Sequence, residues 1–451
     1  MKIALAKVSS YQSWYKVPSF ALGYLAAVLE AGGIEARIFD ARYFNIEDGR
    51  LAKEICDFQP DLLGFSAMTH EINRVALVAQ AVKSKFKIPV VVGGCHLTAL
   101  PLETMREFPV IDFGVIGEGE YALREIAGYL SGSQAIENVS GVIYRKGQEI
   151  LQNHPRTPIA ELDSIPFPAF HQYYKEGNKS LANQWPYPVL TNRGCMFNCA
   201  FCMRVLGHVV RARSDENILA ELDMAVSRYG ARYINFADEI FLFNNVRTKG
   251  LLKKFIEKGY PSKFQWSGLT RVNFVDEEII SLASQAGCNR LEMGVESGND
   301  QILRNTNKNI TVAQIENAVR IIKKHKIKIA SYYILGHPGE TEATIKDTIA
   351  LAVRLNTDTI AVGIMVPYPG TKIYEWANEN KFGYRLLSKD WSCYDKYGGT
   401  ALEIEGLPLK KLESFQRKAY LYFYLRNLRI FDLIKFAFSR YKGIFQVIFK
   451  R

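Results

Sequence analysis

At 451 residues, with 48% hydrophobic and 23% charged side chains, the chain has an ordinary globular composition and enough length to bury a large core without disulfide staples. Its seven cysteines are an odd number and three fall within eight positions, which argues against a secreted disulfide framework and for metal ligation in a reducing compartment. The net charge of +11 is not spread as a nucleic-acid footprint would be: residues 410–451 carry +9, leaving +2 for the other 409.

Residues 1–135 alternate apolar runs at 3–8, 36–40, 62–67, 90–93 and 113–116 with helical patterns at 21–31, 51–58, 75–86 and 121–130. Near-continuous apolar strands separated by helices predict a parallel sheet covered on both faces, hence an α/β, doubly wound, Rossmann-like domain. Ligands of such sheets sit beyond the carboxyl ends of the strands. Those ends carry Ser66 to Glu71, Gly93-Gly94-Cys95-His96-Leu97-Thr98 and Gly117-Glu118-Gly119-Glu120. Residues 136–188, punctuated by Pro155, Pro158, Pro166 and Pro168, read as a connector with a small hairpin around 141–150.

Alternation resumes over 189–378, with strands at 189–192, 233–237, 264–269, 290–295, 327–335 and 359–366. Helices are expected at 218–229, 277–286, 312–324 and 344–355. Six β/α units are too few for an eight-stranded barrel and suit a partial, TIM-like (β/α)6 one. Residues 379–451 read as a helical, basic, aromatic-rich C-terminal region. The N-terminal apolar run is too short for a signal peptide, and no stretch is long and apolar enough to span a membrane, so a cytoplasmic protein is expected.

Cys195, Cys199 and Cys202 follow the first strand of the second domain in Asn192-Arg193-Gly194-Cys195-Met196-Phe197-Asn198-Cys199-Ala200-Phe201-Cys202. Thiolates favour zinc or iron–sulfur clusters. A structural zinc site wants four closed ligands, and Cys56, Cys95, Cys288 and Cys393 are scattered singly. Three thiolates for four irons leave one iron open, able to chelate the amino and carboxylate groups of S-adenosylmethionine (SAM).

The Cys-x3-Cys-x2-Cys spacing, with an aromatic before the third cysteine, resembles the signature of the radical SAM superfamily. Further strand-end segments match in order: Ala237-Asp238-Glu239, Gly294-Val295-Glu296-Ser297-Gly298, Tyr333 to Glu340, and Val366 to Thr371. The resemblance implies a [4Fe-4S] cluster on the three cysteines and reductive cleavage of SAM to a 5′-deoxyadenosyl radical. It implies that Asp238 and Glu239 supply one contact to the SAM amino group, unless one of them caps a helix. Glu296 is placed on the ribose hydroxyls, against a solvated loop carboxylate, and Gly336 and Gly339 on the adenine side. Arg271 pairs with the SAM carboxylate or with a neighbouring acid. Cys288 reads as a packed core residue, and Cys393 as a bland one despite its aromatic neighbours.

A doubly wound domain, a connector and this barrel together resemble the cobalamin-binding subgroup of radical SAM proteins over nearly the whole chain. The cobalt-ligating Asp-x-His-x-x-Gly motif is absent, as in most of that subgroup. The resemblance implies cobalamin held by loops carrying Ser66, Thr69, His70, Gly93, Gly94, His96, Gly117, Glu118 and Gly119. His96 is expected at the nucleotide tail or in loop packing. His70 faces either cobalt or solvent, and a domain that has lost the cofactor stays open. The implied reaction is C-methylation of an unactivated carbon. The alternatives are a cobalamin-dependent cyclisation or rearrangement, like anaerobic porphyrin ring closure, and a non-catalytic cobalamin or redox sensor. An electron donor such as flavodoxin or ferredoxin is expected; the substrate, a lipid or other small molecule, is not legible. The basic aromatic tail has three readings: a helical layer packed on the barrel, a peripheral contact at the inner face of the membrane, and, least favoured, a nucleic-acid surface.

Overall fold

In the computed structural model, which describes residues 1–9, 17–174, 185–395 and 399–434, the apolar runs of the N-terminal half form one sheet. Its strands are β1 (Lys2–Lys7), β2 (Glu35–Asp40), β3 (Leu62–Ser66), β4 (Val90–Gly93), β5 (Phe113–Val115), β6 (Val142–Lys146) and β7 (Glu149–Gln152), in the order β2-β1-β3-β4-β5-β6-β7. The first five are parallel, in registers such as Leu5↔Ile38 and Phe65↔Val92, and the β6–β7 hairpin adds antiparallel to β5. Nearly every residue of β1, β3 and β4 is buried, because crossover helices cover both faces. The order reverses between β1 and β3, and that switch point is where open α/β sheets take ligands.

The chain divides into two compact units. The first comprises Met1–Met196 and Met203–Tyr233 and therefore includes the proline-marked connector. That connector is packed. Ile159, Leu162 and Ile165 form a core with Tyr24 and Val28, and Phe170 occupies the space that a side chain at Gly23 would need. Tyr173 donates to Asp40, and Gln172 accepts from the Ile38 N–H. The same unit holds β8 (Tyr187–Val189), the antiparallel pair β9 (Asn192–Arg193) and β10 (Arg211–Ala212), and a helix over Asp215–Tyr229.

The second unit comprises Phe197–Cys202 and Ile234–Arg451. There β11 (Tyr233–Phe236), β12 (Gln265–Thr270), β13 (Cys288–Glu296), β14 (Lys328–Leu335) and β15 (Thr359–Ile364) lie side by side in chain order. The β12 to β15 pairings are parallel. Helices over Val246–Glu257, Glu277–Gln285, Val312–Lys324 and Glu342–Leu355 separate the strands. Asn245, Asp276, Thr311 and Thr341 cap their N-termini, each accepting an orphan backbone N–H. The C-terminal region adds a small antiparallel pair, β16 (Tyr384–Leu386) and β17 (Leu402–Ile404), before a helix over Leu409–Arg426 that packs on β15.

Candidate functional site

The cysteines lie on one loop whose ends are fixed by backbone geometry. Arg193 and Arg211 face each other across β9 and β10, and the chain leaves β9 through Gly194 at φ 97°, a left-handed value that favours glycine. An added Cβ there would collide with the Val209 carbonyl. Cys195 then donates its N–H to the Gly207 carbonyl at 3.1 Å. In the second unit Ala200 is bonded on both sides, its N–H to the Thr306 carbonyl (2.9 Å) and its carbonyl to the Ile373 N–H (3.2 Å). The Cys202 N–H meets the Cys199 carbonyl at 3.1 Å. Among the described residues no three His, Cys, Asp or Glu side chains converge as a preformed single-ion site. The fit to a multi-iron cluster rests on the chemistry of the donors: three cysteines within eight residues, none of them in a disulfide.

Aromatics of this loop meet the strand-end residues of the second unit. The Arg271 guanidinium, just past β12, lies 3.8 Å from the Phe197 ring centre and donates to Asn273 and to the Lys308 carbonyl. Phe201 packs against the buried His337 ring and beneath the Lys308 ammonium. Lys308 in turn pairs with Glu296 at 3.0 Å, with both side chains under one-tenth exposed. Glu296 ends β13 where its register with β14 shifts, and its φ of 65° is unusual for a side-chain-bearing residue. Asp238 is buried and Glu239 half-buried, both directly after β11.

Beyond β14, Gly336 and Gly339 adopt φ 98° and 77°. Glu340 folds back to accept the N–H groups of Gly336 and His337, and Tyr384 donates to the Gly336 carbonyl. Burial pushes the Glu340 carboxyl up to about 7 against those two N–H groups, and burial lowers His337 to about 4. Lys308 gave no sequence signal, being one lysine in a polar loop; the Pro-Gly-Glu run at 338–340 could have flagged Glu340.

In the first unit the strand ends of β3 and β4 interlock. Gly94, at φ 97°, would place a Cβ 2.6 Å from the Ala67 carbonyl oxygen, so only glycine lets these loops touch. Ser66 ends β3, Gly93 ends β4, and the Ala67 N–H bonds the Gly93 carbonyl at 2.9 Å. Thr69 is buried, His70 half-buried and Met68 exposed. Glu71 accepts from the Met68 N–H and pairs with Lys7 at 2.9 Å beside the switch point. Burial alone would raise its carboxyl, but Lys7 and the Met68 N–H hold it below the ordinary value. His96 is fully buried, and burial lowers it to about 4. The Gly117 N–H bonds Thr98, and a Cβ at Gly117 would meet open space. Glu118 differs from its neighbours: its carboxylate is taken up by Arg193, Arg211 and the Ile159 N–H.

Residues 189–352 match the radical SAM superfamily and residues 12–127 the B12 binding domain. An uncharacterized methyltransferase of Pyrococcus horikoshii is 32% identical over 91% of this chain and 88% of its own. The anaerobic magnesium-protoporphyrin IX monomethyl ester cyclase of Cereibacter sphaeroides is 26% identical over 80% of this chain and 60% of its own. The radical SAM methyltransferase TsrM of Kitasatospora setae, solved with cobalamin and a [4Fe-4S] cluster, shares the fold with a TM-score of 0.74 at 17% identity, over 93% of this chain and 90% of that one. The chain belongs to the radical SAM superfamily, in the branch that carries an N-terminal B12-binding domain. It is thus an enzyme whose cofactors are a [4Fe-4S] cluster, SAM and cobalamin, of a family that works with a reductant and a small-molecule substrate.

Proposed function

We propose that this enzyme methylates an unactivated carbon of a small molecule, with SAM as the methyl source and cobalamin as the carrier. The carrying observation is the match to a methyltransferase over nine-tenths of both chains. Bound together, the three cofactors supply the one-electron and methyl-transfer chemistry; the chain orients them and excludes water. Cys195, Cys199 and Cys202 hold the cluster. Asp238 and Glu239 serve the SAM amino group, and Gly336 and Gly339 let backbone approach the adenine. Arg271 is fixed on Phe197 beside the cysteine loop. Glu296, already paired with Lys308, presents its remaining oxygen to the ribose. Ser66, Thr69, His70, Gly93, Gly94, Gly117 and Gly119 line the corrin side of the switch point, and His96 packs beneath them.

The reading is tested by anaerobic reconstitution with iron, sulfide and cobalamin, followed by dithionite and SAM. A methyltransferase forms both 5′-deoxyadenosine and S-adenosylhomocysteine. The cyclase relative favours a second reading, ring closure, which yields 5′-deoxyadenosine without S-adenosylhomocysteine. A sensor yields neither.

For localisation and partners, no described helix is long and apolar enough to cross a membrane. The helix Leu409–Arg426 buries Leu412, Phe415, Ala419, Tyr420 and Phe423, which supports the packed-layer reading for its inner side. Beyond it Leu428 and Phe431 are 85% and 82% exposed, followed by Ile434; positions 435–438 of this aromatic run lie outside the described residues. With +9 on residues 410–451, the chemistry fits anionic lipid at the cytoplasmic face. Flotation with phosphatidylglycerol vesicles tests this, with Phe431→Asp expected to abolish binding; equal flotation of both proteins removes the lipid reading. A flavodoxin or ferredoxin is the proposed electron donor.

A further inference from the structure

The loop after β5 was expected to offer its side chains to cobalamin. Glu118 instead turns to the two arginines at the base of the cysteine loop. Its Oε1 accepts from Arg193 at 2.8 Å and Arg211 at 3.0 Å, and its Oε2 accepts from Arg211 at 2.8 Å and the Ile159 N–H at 2.7 Å. A carboxylate has about four acceptor positions, so nothing remains for another ligand. Arg193 is held a second time by Glu120 at 2.7 Å, and its guanidinium lies over the Tyr24 ring. Arg211 also donates to the Ile159 and Leu206 carbonyls. All four side chains are at most one-tenth exposed. Burial would raise Glu118, but the bonds from Arg211 and Arg193 outweigh it and keep the carboxyl below its ordinary value.

Two independent facts give this cluster a bearing on the chemistry. Arg193 and Arg211 are register partners where β9 pairs with β10, so both strands at the root of the loop are tied to one carboxylate. Gly194 and Cys195 follow Arg193 at once, with Gly194 admitting no side chain. A shift of Arg193 therefore passes through one residue to a cluster thiolate. Glu118 also lies within the segment matched to the B12 binding domain, and both arginines within the radical SAM match.

We propose that Glu118 is a positioning residue for the iron–sulfur loop: it fixes Arg193 and Arg211, the paired residues that carry Cys195, and is not a cobalamin ligand. The inference rests on the cluster assignment above. Glu118→Gln keeps the size and one acceptor but removes the charge that holds two guanidinium groups. Partners behind a metal ligand typically change metal affinity by about 10–100-fold when altered. Anaerobically reconstituted Glu118→Gln is expected to retain cluster iron about tenfold less well in a chelator challenge. The electron paramagnetic resonance signal of any reduced cluster should broaden and lose its response to SAM, with hydroxocobalamin binding unchanged. Arg211→Lys, which keeps the charge but not the two-oxygen grip, should behave alike, and serves if Glu118→Gln does not fold. A normal, SAM-responsive signal in both variants overturns the proposal, as does loss of hydroxocobalamin binding with an intact cluster. A wild-type protein that builds no cluster would instead overturn the assignment of the cysteines.

Discussion

At position 296 a glutamate occupies a φ of 65°, a conformation that costs of order 1–3 kcal/mol and persists only where the surroundings enforce it. The enforcing contact is the buried pair with Lys308, which fits because residue 294 has no side chain. A Cβ at Gly294 would collide with the Glu296 carboxylate and lie 2.8 Å from the Lys308 Nζ. Gly294→Ala is therefore expected to destabilise the apo protein by about 1–3 kcal/mol in urea titration, and to weaken SAM binding measured by calorimetry. Glu340 makes a prediction with a sign. Its folded pKa, about 7, lies above the ordinary 4.5, so the folded state binds the extra proton and stability falls as pH rises between those values. Glu340→Gln keeps an acceptor for the Gly336 and His337 N–H groups and cannot ionise. It should be more stable than wild type by roughly 3 kcal/mol at pH 8 and nearly equal to it at pH 4.5. A parallel pair of melting curves checks this. His96 and His337 act oppositely: with folded values near 4, both are neutral inside, and the stability they allow is lost as pH falls from 6.5 towards 4.

Among elements, the loops at the strand ends are held by close backbone contact rather than by long side chains. Gly94→Ala forces the β3 and β4 loops apart at the Ala67 carbonyl, and a clash of this kind costs about 1–3 kcal/mol. An absorbance titration should accordingly show weaker hydroxocobalamin binding, with cluster assembly unaffected. The strands themselves were legible in the sequence to within a residue or two, because runs such as 90–93 and 329–335 are mostly apolar and set off by Gly and polar turns. Two departures have physical causes. The strand expected at 189–192 breaks between β8 and β9, where Arg213 takes the Leu190 carbonyl and donates its N–H to the Thr191 carbonyl. The connector is core rather than linker, because its prolines punctuate a set of aromatics, Phe170, Tyr173 and Tyr174, that bury completely. At the site, the cysteines and glycines announce themselves by spacing. Lys308, Arg211 and the true partners of Glu118 do not, since an ion pair between residues 93 positions apart leaves no local pattern.

For the whole molecule, the division into two units falls inside the cysteine loop, with Cys195 in the first and Cys199 and Cys202 in the second. The loops after β3, β4 and β5, proposed to hold cobalamin, and the Glu118 ion-pair cluster lie in the first unit, whereas the Ala200 anchor, Phe201, Lys308 and Glu296 belong to the second. Loss of one thiolate on the second unit should therefore abolish the cluster without disturbing the corrin loops. Cys199→Ala removes little volume, and the backbone bonds of Ala200 and Cys202 do not involve the thiol. The variant is expected to bind hydroxocobalamin as wild type does, to lack the broad iron–sulfur absorption, and to release no 5′-deoxyadenosine from SAM and dithionite. Arg193→Ala acts from the other side of the same loop. It leaves Glu118 and Glu120 buried with one guanidinium fewer, a loss that commonly costs 3–5 kcal/mol, so it should lower the melting temperature of the apo protein where Cys199→Ala does not. If Cys199→Ala also lost cobalamin, the corrin loops would depend on the second-unit part of the cysteine loop, and their independence from it would fail.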